Sequence, residues 1–154
     1  MEHNIEAIAA SQKAQDAYGS EDDLTVTHVD LEAGTLVLSL SVAAHHLNSA
    51  GTLDEGMALT MVDNYTTYLL VAHTLAKQPG DMPISVSVCL SARAFAPVPP
   101  GTPVELVCQV GNGSATQPVA SAVFRNANDP SVIYATASHT KHIKDVLGYA
   151  SGKL

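Results

Sequence analysis

The stretch Leu53–Lys77, "LDEGMALTMVDNYTTYLLVAHTLAK", decides the fold. It is apolar on nearly every helical face, which predicts one long helix buried on all sides rather than an amphipathic one. Pro79-Gly80 and Pro83 close it. Asp63, Asn64 and several threonines interrupt the apolar run, so it does not read as a membrane span. A helix this apolar needs something wrapped around it, and the flanking sequence supplies strands. On the N-terminal side, Leu24–Leu31 and Thr35–Val42 alternate at period two and are joined by "EAG", a hairpin signal. On the C-terminal side, Ile84–Phe95, Pro103–Val110, Val119–Asn126 and Val132–Ile143 read as four more strands. Asn112-Gly113 between two of them has the composition of a two-residue hairpin turn. Residues from about 2 to 18 read as a short helix, and Ala43–Gly51 as a polar, turn-rich connection.

The expected architecture is therefore α+β: an antiparallel sheet of about six strands around one long central helix, with a short N-terminal helix. It forms one domain over residues 1–154, a length that can bury a real core. The composition is 46% hydrophobic and only 14% charged, lean enough in charge that part of the surface is expected to be covered by another subunit. Fifteen acids against seven Lys and Arg give a formal charge of -8 and no basic stripe, which argues against a nucleic-acid partner. The first residues lack a basic start and a long apolar stretch, so the expected location is the cytoplasm or another intracellular compartment rather than outside the cell. Cys89 and Cys108 fall in strands and are expected as buried, reduced thiols. His45, His46 and His73 lack ligand spacing with any Cys or Asp, so no metal or other cofactor is expected.

Several motifs, in order, carry a resemblance. "HLNSAGTLDEG" (His46–Gly56) followed by "LTMVDN" is similar to the HxNxxGxxHGG…D segment of hotdog-fold thioesterases of the PaaI type. The run "GTL-x-x-G…VDN" is nearer to the acyl-coenzyme A thioesterase 13 branch, also called thioesterase superfamily member 2. "FAPVPPG" (Phe95–Gly101) resembles the family's SP-x-x-x-G turn, and "SHTKHI" (Ser138–Ile143) the branch's final strand. The resemblance spans roughly residues 24–143 and implies a hotdog fold, hydrolysis of acyl-CoA thioesters, and a homodimer or a tetramer of two dimers.

The resemblance also assigns roles. Asp63 matches the catalytic carboxylate, as general base or nucleophile, acting across a subunit interface. Asn48 and the backbone N–H of Glu55, with Gly56 beside it, match the groups that hold the thioester carbonyl. A helix start with free N–H groups and a positive dipole end suits a developing oxyanion. Ser87 matches a serine that positions the attacking water, and His139 a histidine at the rim of the site. Lys141 and Lys144, in "HTKHIK", are expected near the coenzyme's phosphates, within a basic patch shared with Arg93, Arg125 and His142.

One departure stands out. The family's HGG reads Asp54-Glu55-Gly56 here, which sets two carboxylates beside the carbonyl site. They can act as first-turn acids that favour the helix dipole by about 0.3–1 kcal/mol each. Turned inward, they oppose a developing negative charge. This leaves two alternatives open: a hotdog-fold dehydratase, hydratase or isomerase acting on an acyl thioester, and a non-catalytic acyl-thioester-binding protein.

Overall fold

The computed structural model describes residues 24–79 and 83–144. The short helix expected at about 2–18 lies outside the described residues. Six strands, β1 (Leu24–Asp30), β2 (Thr35–Ser41), β3 (Ile84–Ala94), β4 (Pro103–Val110), β5 (Val119–Asn126) and β6 (Ile133–Lys144), form one sheet in the order β1-β2-β4-β5-β6-β3. Every neighbouring pair is antiparallel. The long helix α1 (Glu55–Lys77) follows a single 3-10 turn at Ala44–His46 and packs against β3, β4, β5 and β6.

The period-two pattern sets the inner face of the sheet. Leu36, Leu38 and Leu40 of β2, Val104, Leu106 and Cys108 of β4, and Ala120, Ala122 and Phe124 of β5 are buried. All but Ala120 meet Met61, Val62, Tyr65, Leu69 and Ala72 of α1 in one apolar cluster. Each large aliphatic side chain taken out of water there contributes about 1.5–3 kcal/mol. Burial pushes the Cys108 thiol up to about 12, so it behaves as a small core hydrophobe. None of the described helices is long and apolar enough to cross a membrane.

Three expectations change. The helix is not buried on every side of one chain: Thr60, Asp63, Asn64 and Thr67 form a half-buried stripe, because the sheet covers only part of its circumference. Cys89 is exposed rather than buried, since β3 is an edge strand. That edge also exposes Ile84, Val86 and Val88, at 61%, 55% and 56%. Finally, Asn112-Gly113 makes no two-residue hairpin. The strands stop at Val110 and resume at Val119, and neither residue has a positive φ. Gly113 is needed for close approach instead: a Cβ there would lie 2.6 Å from the Gln117 carbonyl oxygen.

Candidate active site

Two groups of polar side chains flank α1. The first is built by the loop before it. Gly51, at φ +76, closes a turn in which Asn48 N donates to Thr52 O (2.8 Å) and Gly51 N to Asn48 O (3.0 Å). The Asn48 side-chain oxygen accepts from Ala50 N (2.9 Å), Thr52 N (3.2 Å) and Thr52 Oγ1 (3.3 Å). Two of those donors are backbone amides, so the flip of the Asn48 amide is fixed. Its Nδ2 must point the other way, where it donates to Glu55 Oε2 at 3.4 Å.

Asp54 is the N-cap of α1, and its Oδ1 accepts from Met57 N at 2.9 Å. Its carboxylate thus turns back onto the helix. Glu55 and Gly56, both exposed, open the helix. Among the described residues no acceptor takes their N–H groups. The helix start thus carries these two N–H groups, and Asn48 Nδ2 reaches the Glu55 carboxylate beside them. A cleft of about 330 Å³ opens from there, lined by Thr52, Leu53, Ala58, Phe95, Phe124 and Tyr134 among others.

The second group lies further along α1, between the helix and strands β3 and β6. Asp63 Oδ1 accepts from Ser87 Oγ at 3.0 Å and lies 3.3 Å from His139 Nε2. His139 Nε2 is 2.9 Å from Ser87 Oγ, and Lys141 Nζ donates to the same oxygen at 3.2 Å. His139 Nδ1 meets Thr66 Oγ1 at 2.6 Å. Strand register explains the assembly. Ser87 and Lys141 are paired across β3 and β6, and a bulge between Ser87 and Cys89 brings Leu90, not Cys89, opposite His139. The bulge therefore puts Ser87 and Leu90 on one face and aims the serine at the helix.

The protons in this cluster can be counted. Thr66 Oγ1 spends its one proton on the Val62 carbonyl (2.6 Å), so it accepts from His139, and Nδ1 carries the imidazole proton. In the neutral ring Nε2 is then bare, turned toward Ser87 and Asp63. Ser87 has a single proton for two acceptors, Asp63 Oδ1 and His139 Nε2. The cluster is one proton short. Burial, then the charge of Lys141, push the His139 pKa down, with Asp63 pulling the other way. Burial likewise pushes the Lys141 pKa down, opposed by Asp63.

The structure thus brings Asp63, Ser87, His139 and Lys141 together, and separately Asn48, Glu55 and Gly56. His139 is fully buried inside the first of these sets rather than at a rim. Lys141, 4% exposed, turns inward and does not share a surface with Lys144, which is exposed at the end of β6. The expected basic patch does not assemble. Arg125 pairs with Glu105 across β4 and β5 (2.8 Å), and Arg93 sits over the Phe95 ring. Asp63 keeps 43% of its side chain exposed, so it is not the hydrocarbon-buried acid that its apolar context implied. Thr66, which meets His139 Nδ1, was not among the candidate site residues. Its signal was a hydroxyl inside the apolar run, one turn from Asp63.

No protein-family model matches the chain. It is 29% identical over 118 residues to acyl-coenzyme A thioesterase 13 of Homo sapiens, covering 77% of this chain and 79% of that protein. Thioesterase superfamily member 2 from Mus musculus superposes with a TM-score of 0.74 at 24% identity, over 92% of this chain and 96% of that one. The PaaI protein of the E. coli phenylacetic acid degradation operon does so at 0.72 and 16% identity, over 94% and 96%. The fold is the hotdog fold, and the resemblance to PaaI-type thioesterases and to acyl-coenzyme A thioesterase 13 is borne out.

Proposed function

We propose that this chain hydrolyses acyl-CoA thioesters, with Asp63 as general base. The observation that carries this reading is the proton-short cluster. Asp63 Oδ1 and His139 Nε2 stand 3.3 Å apart with one serine proton between them. Such a pair gains by taking a proton from water. Ser87 orients that water. Its oxygen adds to the thioester carbonyl carbon while its proton passes to the Asp63–His139 pair. The carbonyl oxygen, becoming an oxyanion, is held by Asn48 Nδ2 and the Glu55 N–H. Collapse breaks the C–S bond, and the proton returns to the departing thiolate.

The two groups cannot serve the same carbonyl within one chain. Glu55 and Asp63 are eight residues apart on α1, which is about 12 Å along the axis. In this reading the oxyanion donors of one subunit face Asp63 of a second copy. The unpaired β3 edge, with exposed Ile84, Val86 and Val88, supports a homodimer joined there. The cleft at the helix start then takes part of the substrate next to its carbonyl, and Lys144 lies on the phosphate side of the coenzyme.

The hydratase-type alternative needs Asp54 or Glu55 as an acid/base partner of His46 or of Asp63. Asp54 is instead spent on the Met57 N–H, and His46 Nδ1 accepts from Ala43 N (2.9 Å). The test is product analysis with acetyl-, medium-chain, long-chain and aryl-CoA. Release of free thiol with the matching carboxylic acid is expected. Double-bond or hydroxyl change without thiol, or binding of every thioester without turnover, overturns the reading.

A further inference from the structure

Lys141 has no task in the mechanism just described, yet it is the most deeply placed cation among the described residues. It is 4% exposed, and among the described residues its ammonium has one hydrogen-bond partner, the Ser87 hydroxyl. Holding an ammonium out of water costs several kcal/mol unless something compensates. The compensation here is the carboxylate of Asp63, which accepts from the same serine hydroxyl and favours the charged ammonium.

The groups around this ammonium come from every element packed on it. Asp63 and Thr66 are supplied by α1, Ser87 by β3 and His139 by β6 itself. On the β5 side Ala120 stands opposite His139, and Lys141 N donates to the Pro118 carbonyl (3.0 Å), so that flank adds no titratable group. The local charge is therefore one anion, one cation and an imidazole.

We infer that Lys141 is a positioning residue that keeps the Asp63–Ser87–His139 cluster one proton short and sets the direction of the serine hydroxyl. This rests on the hydrolase reading for its consequence, but not for its test. The ammonium takes a lone pair of Ser87 Oγ, so the serine proton has only Asp63 and His139 to go to. Its positive charge also opposes a further proton settling on the pair. Without it the hydroxyl can rotate away, and the pair holds that extra proton at a higher pH. A protonated pair cannot accept a proton from water.

The sign follows from the charges. Lys141 disfavours the imidazolium form of His139. Removing its charge therefore lets the His139 imidazole protonate at a higher pH.

The experiment follows the His139 imidazole by NMR titration in the full chain, for wild type, Lys141→Met and Lys141→Arg. In the same proteins the acid limb of the pH profile of kcat/KM is measured on the best acyl-CoA substrate. In wild type, a neutral Nδ1–H tautomer titrating below an ordinary histidine is expected. In Lys141→Met, the titration and the acid limb both move to higher pH, while Lys141→Arg stays within a few tenths of a unit of wild type. A wild-type His139 that stays protonated above neutral pH overturns the inference, and this needs no variant to fold. A Lys141→Met titration superimposable on wild type overturns it too, whatever its rate. The NMR arm is independent of turnover. If no thioester is hydrolysed but the His139 titration moves as described, only the hydrolase reading fails.

Discussion

Replacing Glu55 by glutamine should make this protein faster. The side chain keeps its shape and the backbone N–H is untouched, so the oxyanion donors remain. What changes is the charge. Glu55 Oε2 lies 3.4 Å from Asn48 Nδ2, the group assigned to the carbonyl oxygen. A carbonyl oxygen held by the second N–H of that Nδ2 therefore sits about 5 Å from a carboxylate, and two like charges at that distance cost about 1 kcal/mol in a water-like medium and about 3 at a protein surface. Glu55 is exposed, so the lower figure applies, and about 1 kcal/mol off the barrier is about fivefold in rate. Stability should move the other way, because a first-turn carboxylate favours the helix dipole by about 0.3–1 kcal/mol. Steady-state thiol release gives kcat and KM, and a thermal melt gives Tm. The expected result is kcat/KM about fivefold above wild type with a slightly lower Tm. Unchanged or slower hydrolysis by Glu55→Gln would refute the placing of the oxyanion beside Asn48 and this carboxylate.

Two further outcomes follow from the cluster and the sheet edge. Thr66→Val is nearly isosteric but leaves the buried His139 Nδ1–H without its acceptor, which should cost about 1–3 kcal/mol and lower Tm by several degrees; a melt within a degree of wild type would contradict the tautomer assigned here. Lysines at Val86 and Val88 put charge on the open β3 edge. Sedimentation should show a dimer for wild type and a monomer for the double variant, with helix content kept and hydrolysis lost; a monomeric wild type would contradict the composite site, and a double variant that stays dimeric and active would contradict a dimer joined at β3.

Much of the fold was legible because its signals are local. The ends of β4 at Pro103 and Val110 and of β5 at Val119 and Asn126 coincide with the alternation read from the residues. The long helix was visible because its apolar run is bounded by Asp54 and Pro79. Less legible was which face each polar residue takes. His139, Lys141 and Ile143 alternate on β6, and all three are buried. Ile143 is the apolar member of that set, and its phase pointed inward for Lys141 as well. The surface-patch expectation overlooked it because "HTKHIK" reads as a basic segment. Ser87 was harder still, since its inward aim depends on the bulge that follows it, and no residue type in "SVSVCL" announces one. The half-exposed state of Asp63 was hidden for a third reason. An all-apolar helix looks buried on every side, whereas one chain's sheet covers only part of it.

The most direct measurement is single-turnover hydrolysis of an acyl-CoA by Asp63→Asn beside wild type. Asparagine keeps the side chain's shape and its contact with Ser87, but it cannot take a proton. The account predicts that free thiol release falls about 10²–10⁴-fold with the dimer and Tm preserved. A folded Asp63→Asn variant that releases thiol within about threefold of wild type, against that expected loss, would contradict it.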